Sequence, residues 1–76
     1  MYKDLVEYIV KSLVDSPEEV HITELHEGRS TILELQVAEA DMGRVIGKQG
    51  RVVNAIRKII QVKAARQGER VILEVV

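Results

Sequence analysis

Val45-Ile46-Gly47-Lys48-Gln49-Gly50-Arg51-Val52-Val53-Asn54-Ala55-Ile56 is the stretch on which the fold of this 76-residue chain turns. Two glycines enclose two polar residues, with an apolar pair before them and apolar residues at helical spacing after them. Behind the glycines a helix is predicted from Arg51 to about Gln67, with Val53, Ile56, Ile59, Ile60 and Ala64 as a wide apolar stripe and Gly68 as its C-terminal stop. Ahead of them Met42, Val45 and Ile46 read as a very short helix, with Asp41 as its cap. The glycine segment is therefore a loop between two helices. Without a Cβ, Gly47 and Gly50 allow a sugar-phosphate backbone to come close to the main chain. The helix beginning at Arg51 turns unpaired N–H groups and the positive end of its dipole to the same place. Lys48 adds a mobile charge, and Arg44 and Arg51 flank it. Such a loop suits the gripping of phosphates and offers nothing for breaking bonds. The plainer alternative is a tight helix-helix turn in which Lys48 and Gln49 only face water.

Charge supports the first of these readings. The net charge is only −1, but it is unevenly placed. Residues 1–43 carry Lys3, Lys11 and Arg29 against ten acidic side chains, a balance of −7, while residues 44–76 carry eight bases against Glu69 and Glu74, a balance of +6. From Arg44 to Arg66 there is no acid, and Arg44, Lys48, Arg51, Arg57, Lys58, Lys63 and Arg66 all fall there. Asymmetry of this kind marks a surface that faces a polyanion.

Working outward, Tyr2, Leu5, Val6, Ile9, Val10 and Leu13 recur at the spacing of an amphipathic helix, with Glu7 and Lys11 paired one turn apart on the other side. Pro17 ends it through its effect on the preceding residue. Val20 to His26 and Ser30 to Val37 read as two strands joined at Glu27-Gly28-Arg29, an antiparallel hairpin. Leu33, Leu35 and Val37 alternate with Glu34 and Gln36 as a half-buried strand should. Leu25 falls out of phase with Val20 and Ile22, and a bulge or frayed end near Glu24 is the expected cause. Arg70 to Val76 closes the chain as a strand with Val71, Leu73 and Val75 inward. The order is αββααβ, an α+β fold. The crossover from the second strand through two helices to the last should return parallel and right-handed. The sheet is then three-stranded and mixed, with three helices packed on one face.

The segment Val45 to Ile56 resembles the V-I-G-x-x-G-x-x-I signature of KH domains, in which a GxxG loop clamps the backbone of four nucleotides. The order αββααβ is that of the type II, bacterial form. The whole length, including Leu13-Val14-Asp15-Ser16-Pro17-Glu18-Glu19-Val20, resembles the small bacterial single-KH proteins of the KhpA type, so that residues 1–76 would be one KH domain with its GxxG loop at 47–50. Glu39 is a departure, since those proteins usually carry proline there; it touches only the helix entry. The resemblance implies single-stranded RNA lying in a narrow groove across the loop, in a post-transcriptional regulator or RNA chaperone. Gly47, Lys48, Gln49 and Gly50 would hold the backbone, with Lys48 and Arg51 neutralising phosphates and Arg44 as a flanking RNA-binding residue. Val45, Ile46 and Val53 would give an apolar floor or serve as core alone, and Asn54 would offer its amide to a base edge or face water. It also implies a homodimer, or a heterodimer with a larger KH-containing RNA-binding protein.

Other classes are excluded residue by residue. Tyr2 and Tyr8 are the only aromatic residues and lie on the first helix, so there is no stacking platform of the RRM or OB kind. Gly43 to Gln49 is one residue short of a P-loop, has Gln49 where Ser or Thr would bind magnesium, and follows a helix. His21 and His26 fall on opposite faces of one strand, and with no cysteine a zinc site is not expected. No nucleophile and base can be assembled, so neither an enzyme nor a cofactor is expected. No apolar run reaches the roughly 18 residues of a membrane span, and Asp4 and Glu7 interrupt any signal peptide. A cytoplasmic protein is expected. The competing function is a protein-interaction module that tunes a larger RNA-binding partner.

Overall fold

The computed structural model describes residues 2–76. Helix α1 spans Tyr2–Leu13, strand β1 His21–Glu27 and strand β2 Ser30–Gln36. Helix α2 spans Met42–Ile46, helix α3 Arg51–Arg66 and strand β3 Arg70–Val75. Single 3₁₀ turns at Pro17–Glu19, Glu39–Asp41 and Lys48–Gly50 join them. β1 and β2 pair antiparallel from His21 opposite Gln36 to Glu27 opposite Ser30. The two-residue connection uses Gly28 at φ +60°, which glycine adopts without penalty. β3 pairs parallel with β2, from Ser30 beside Arg70 to Leu35 beside Val75, giving the order β1-β2-β3. This three-stranded mixed sheet with its three helices is the type II KH arrangement that the resemblance implies.

The sheet buries one face. Ile22, Leu33, Leu35, Val71 and Leu73 point into a core shared with Val6 and Val10 of α1, Val45 of α2, and Val53, Ile56, Ile60 and Ala64 of α3. Two details of this packing differ from the sequence reading. The β1–β2 register is unbroken, so there is no bulge at Glu24. Leu25 instead sits on the open face, 42 % exposed, opposite Ile32, which is itself beside Ile72. A short apolar row thus crosses the open face of all three strands. Its residues are out of phase with the core because they belong to the other side of the sheet. Ile59 is the second difference: it is 51 % exposed and leaves the core stripe to its neighbours on α3.

Two polar contacts fix how α1 lies on the rest. The Tyr2 hydroxyl at the start of α1 is 2.6 Å from Gln67 Oε1 and 2.8 Å from Glu69 Oε1, beyond the end of α3. Burial, then the Glu69 hydrogen bond and the Glu69 charge, all raise the ionisation of this phenol above its ordinary value. At the other end Asp41 makes no cap bond to α2. Its carboxylate, only 3 % exposed, accepts N–H donation from Asp15 and Ser16, each at 3.1 Å. The side chain expected as a helix cap therefore clamps the exit of α1 to the entry of α2. The chain leaving α1 has lost its helical partners, and these two backbone donors need an acceptor. Replacing Asp41 by Asn keeps the shape, removes the charge and turns one acceptor into a donor. The expected cost is about 1–2 kcal/mol, read as a lower urea midpoint with an unchanged slope.

Candidate nucleic-acid interface

The loop at 47–50 is built by its backbone. Gly47 N–H donates to Gly43 O at 2.9 Å and closes α2. Gly47 then takes φ +78°, ψ 170°, a region open in practice only to glycine. A Cβ there would lie 2.4 Å from Val52 Cγ2 and 2.8 Å from Val52 N, so the first turn of α3 already occupies that space. Gly50 has φ +75°, and its nearest obstacle is Asn54 Nδ2 at a permissible 3.4 Å. Between them Gln49 is held at φ 58°, ψ 26°, the only described non-glycine residue with a positive φ. A single 3₁₀ turn, with Gly50 N–H donating to Gly47 O at 3.1 Å, thus lifts Lys48 and Gln49 into solvent.

This geometry sharpens the reading of the two glycines. Gly47 is required by the fold itself, so it says nothing by itself about a ligand. Gly50 and the tip residues are what a backbone could approach. Behind them α3 begins at Arg51 with no side-chain capping bond from Gly50. A sixteen-residue helix therefore turns its positive end, uncapped by any side chain, to the loop. Lys48 and Arg51 are both exposed beside it.

The other expected residues fall in different places. Arg44 is turned away from the loop: its Nη1 lies 3.1 Å from Asp15 Oδ1 and 3.5 Å from Leu13 O, at the end of α1. Val45 is wholly buried, 0 % exposed, and Val53 is 5 % exposed, so both support the loop from beneath as core. Ile46 is half-buried and keeps some surface. Asn54 is exposed, and its Oδ1 accepts from Arg57 Nη1 at 3.1 Å.

That last contact leads to a feature that helical periodicity alone does not reveal. A groove of about 440 Å³ runs between α3 and β3, lined on one side by Arg57, Gln61 and Ala64 and on the other by residues 69–74, Glu69 and Glu74 among them. Arg57 crosses it, its Nε–H donating to Leu73 O at 3.1 Å. Gly50, Asn54 and Arg57 stand in succession along α3, and Arg57 is the groove residue nearest to the loop along that helix. Arg57 is not among the expected site residues; in the sequence it and Lys58 only continue α3 beyond Asn54 in an acid-free segment, where at most one of the two can share the loop's face. β3 is an edge strand, which leaves backbone groups along the groove without a strand partner. Among the described residues no group of histidines and carboxylates could hold a metal ion. His26 instead lies 2.6 Å from Glu24, and no described helix is long and apolar enough to cross a membrane.

Comparison with known proteins agrees with this geometry. A family model for the KH domain of KhpA/KhpB matches residues 3–75. The chain is 50 % identical over 74 residues to the RNA-binding protein KhpA of Clostridium perfringens, covering 97 % of this chain and 99 % of that protein. It is 48 % identical over 73 residues to RNA-binding protein KhpA of Chlamydia caviae, covering 96 % and 94 %. The KhpA of Borreliella burgdorferi is 46 % identical over 72 residues, covering 95 % of this chain and 88 % of its own length. No solved structure matches the chain. A glycine-built loop at the start of a long helix, a mixed three-stranded sheet in αββααβ order and likeness over nearly the whole length place this chain in the KhpA/KhpB family of KH-domain proteins.

Proposed function

We propose that this chain binds single-stranded RNA across the 47–50 loop, as a post-transcriptional regulator or RNA chaperone acting in the cytoplasm. The observation that carries the reading is the exposed Lys48-Gln49 tip, held beside the α3 N-terminus by backbone that only glycine permits at 47. The names of the relatives, which state RNA binding and no catalysed reaction, support it. Lys48, Gln49, Gly50 and Arg51 contact the sugar-phosphate backbone, Ile46 and Asn54 border the path into the groove, and Arg44 joins when it releases Asp15. The grip is on the backbone and takes no cofactor.

Four nucleotides on so small a surface give modest affinity. Useful binding then draws on avidity, from a homodimer or from pairing with a larger KH-containing protein. Ile59 and Val62, 51 % and 60 % exposed and close to one turn apart on α3, favour such pairing. They are also the observation that favours the second reading, an interaction module that tunes a larger partner.

Ionic strength separates the two. Neutralising about three phosphates gives a log-log slope of roughly −2 for a single strand. Fluorescence anisotropy of a labelled octamer between low and moderate salt measures it. A flat response, or no binding at low salt, would favour the interaction module.

A further inference from the structure

The free edge of β3 decides what a base in the groove would meet. Arg70 N–H donates to Arg29 O at 3.1 Å and Val76 N–H to Leu35 O at 2.9 Å. In a parallel ladder the bonding residues alternate, so 70, 72, 74 and 76 turn toward β2. Val71, Leu73 and Val75 turn their N–H and C=O groups outward. A bare edge at Leu73 would present one donor and one acceptor. That pair complements a base edge with an acceptor beside an amino donor, as adenine has.

Arg57 alters this pattern. Its Nε–H occupies Leu73 O, and its Nη1 is tied to Asn54 Oδ1, both at 3.1 Å. The guanidinium is thereby fixed at two points. It has five N–H donors and no acceptor, so three donors remain. Together with the Leu73 N–H, the strand edge at Leu73 now offers donors where the bare strand offered a donor and an acceptor, while Glu69 and Glu74 also line the groove. Arg57 is half-buried, and its bond to Leu73 O is partly shielded from competing water, whereas the bond to Asn54 is exposed.

We propose that Arg57 sets the base preference of this groove, favouring an edge of two adjacent acceptors over the acceptor–donor edge of adenine. Guanine has such an edge at O6 and N7, and cytosine at O2 and N3. The inference rests on the RNA-binding reading above and adds to it the class of base. A planar fork held in one orientation discriminates by geometry, which a lysine at the same place would not do. A well-formed bidentate contact of this kind amounts to roughly ten- to a hundredfold discrimination.

The test uses three RNA octamers of uridine whose two central positions are both cytidine, both guanosine or both adenosine, titrated by anisotropy. Wild-type protein is expected to bind the cytidine or the guanosine octamer at least about tenfold more tightly than the adenosine one. Arg57→Met is expected to remove that difference, the adenosine octamer gaining as Leu73 O is released. Arg57→Lys, which keeps the charge and loses the fork, is expected to remove it as well, and it carries the test if the methionine variant melts early. Equal weakening of all three octamers by both variants would overturn the inference and leave Arg57 as a charge only. A wild-type preference for adenosine, or none, would also overturn it. Failure of the wild type to bind any octamer would instead defeat the RNA-binding reading itself, and the base preference with it.

Discussion

Gly47→Ala is expected to melt roughly 15 °C or more below the wild type, the largest single loss of stability from a methyl group in this chain. Two costs combine. The backbone at φ +78°, ψ 170° is strained for any side chain by about 1–3 kcal/mol. The added carbon also meets Val52 Cγ2 at 2.4 Å and the Val52 backbone nitrogen at 2.8 Å. A rotamer change relieves the first contact only. The second is with the first turn of α3, which moves only if the helix does, and forced overpacking of this kind costs about 1–3 kcal/mol more. A domain of this size has on the order of 4–11 kcal/mol in all, so much of its stability is at stake. Thermal unfolding followed by circular dichroism measures it. Gly50→Ala makes the contrast: it shares the positive φ, but its Cβ would find only Asn54 Nδ2 at 3.4 Å. Its loss should be the smaller of the two. Equal melting of both variants and the wild type would mean that the loop relaxes freely and that its glycines are there for a ligand alone.

The elements were legible because each has one dominant period. α1 and α3 repeat at helical spacing, β2 alternates, and Gly28 and Gly68 mark ends. What escaped did so for identifiable physical reasons. Leu25 looked like a defect in β1 because periodicity reports burial on one face, and the short row Leu25, Ile32, Ile72 lies on the other. Ile59 looked like core because a wide apolar stripe on α3 does not reveal where the packing stops. Asp41 stands where a helix cap belongs, yet its partners are Asp15 and Ser16, which no local rule connects to it.

The site divided along the same line. The geometry of the candidate loop, its tip and the helix start behind it, is local in sequence and is legible there. The groove wall is not local. Arg57 meets Leu73, sixteen residues away, only because the parallel register of β3 turns that carbonyl outward. Arg44 was grouped with the loop by its position in the chain, whereas the nearest charge in space is Asp15. For Val45 the signature leaves groove floor and core both open, and its complete burial makes it core.

The most direct measurement of the central claim is RNA affinity in the double variant Lys48→Asp, Gln49→Asp. Both side chains are exposed, so no packing is lost. Residue 49 stands in the left-handed region, which aspartate enters more readily than most residues. The fold should therefore keep its circular-dichroism spectrum, and its melting temperature should stay close to the wild-type value. The electrostatics of the tip change by three charges, one cation lost and two anions gained, beside the backbone of a polyanion. At about 1 kcal/mol for each charge near the surface, the expected loss is a hundredfold or more in affinity for a single-stranded octamer. A folded double variant that binds the octamer as the wild type does would contradict the account and remove the loop from the interface.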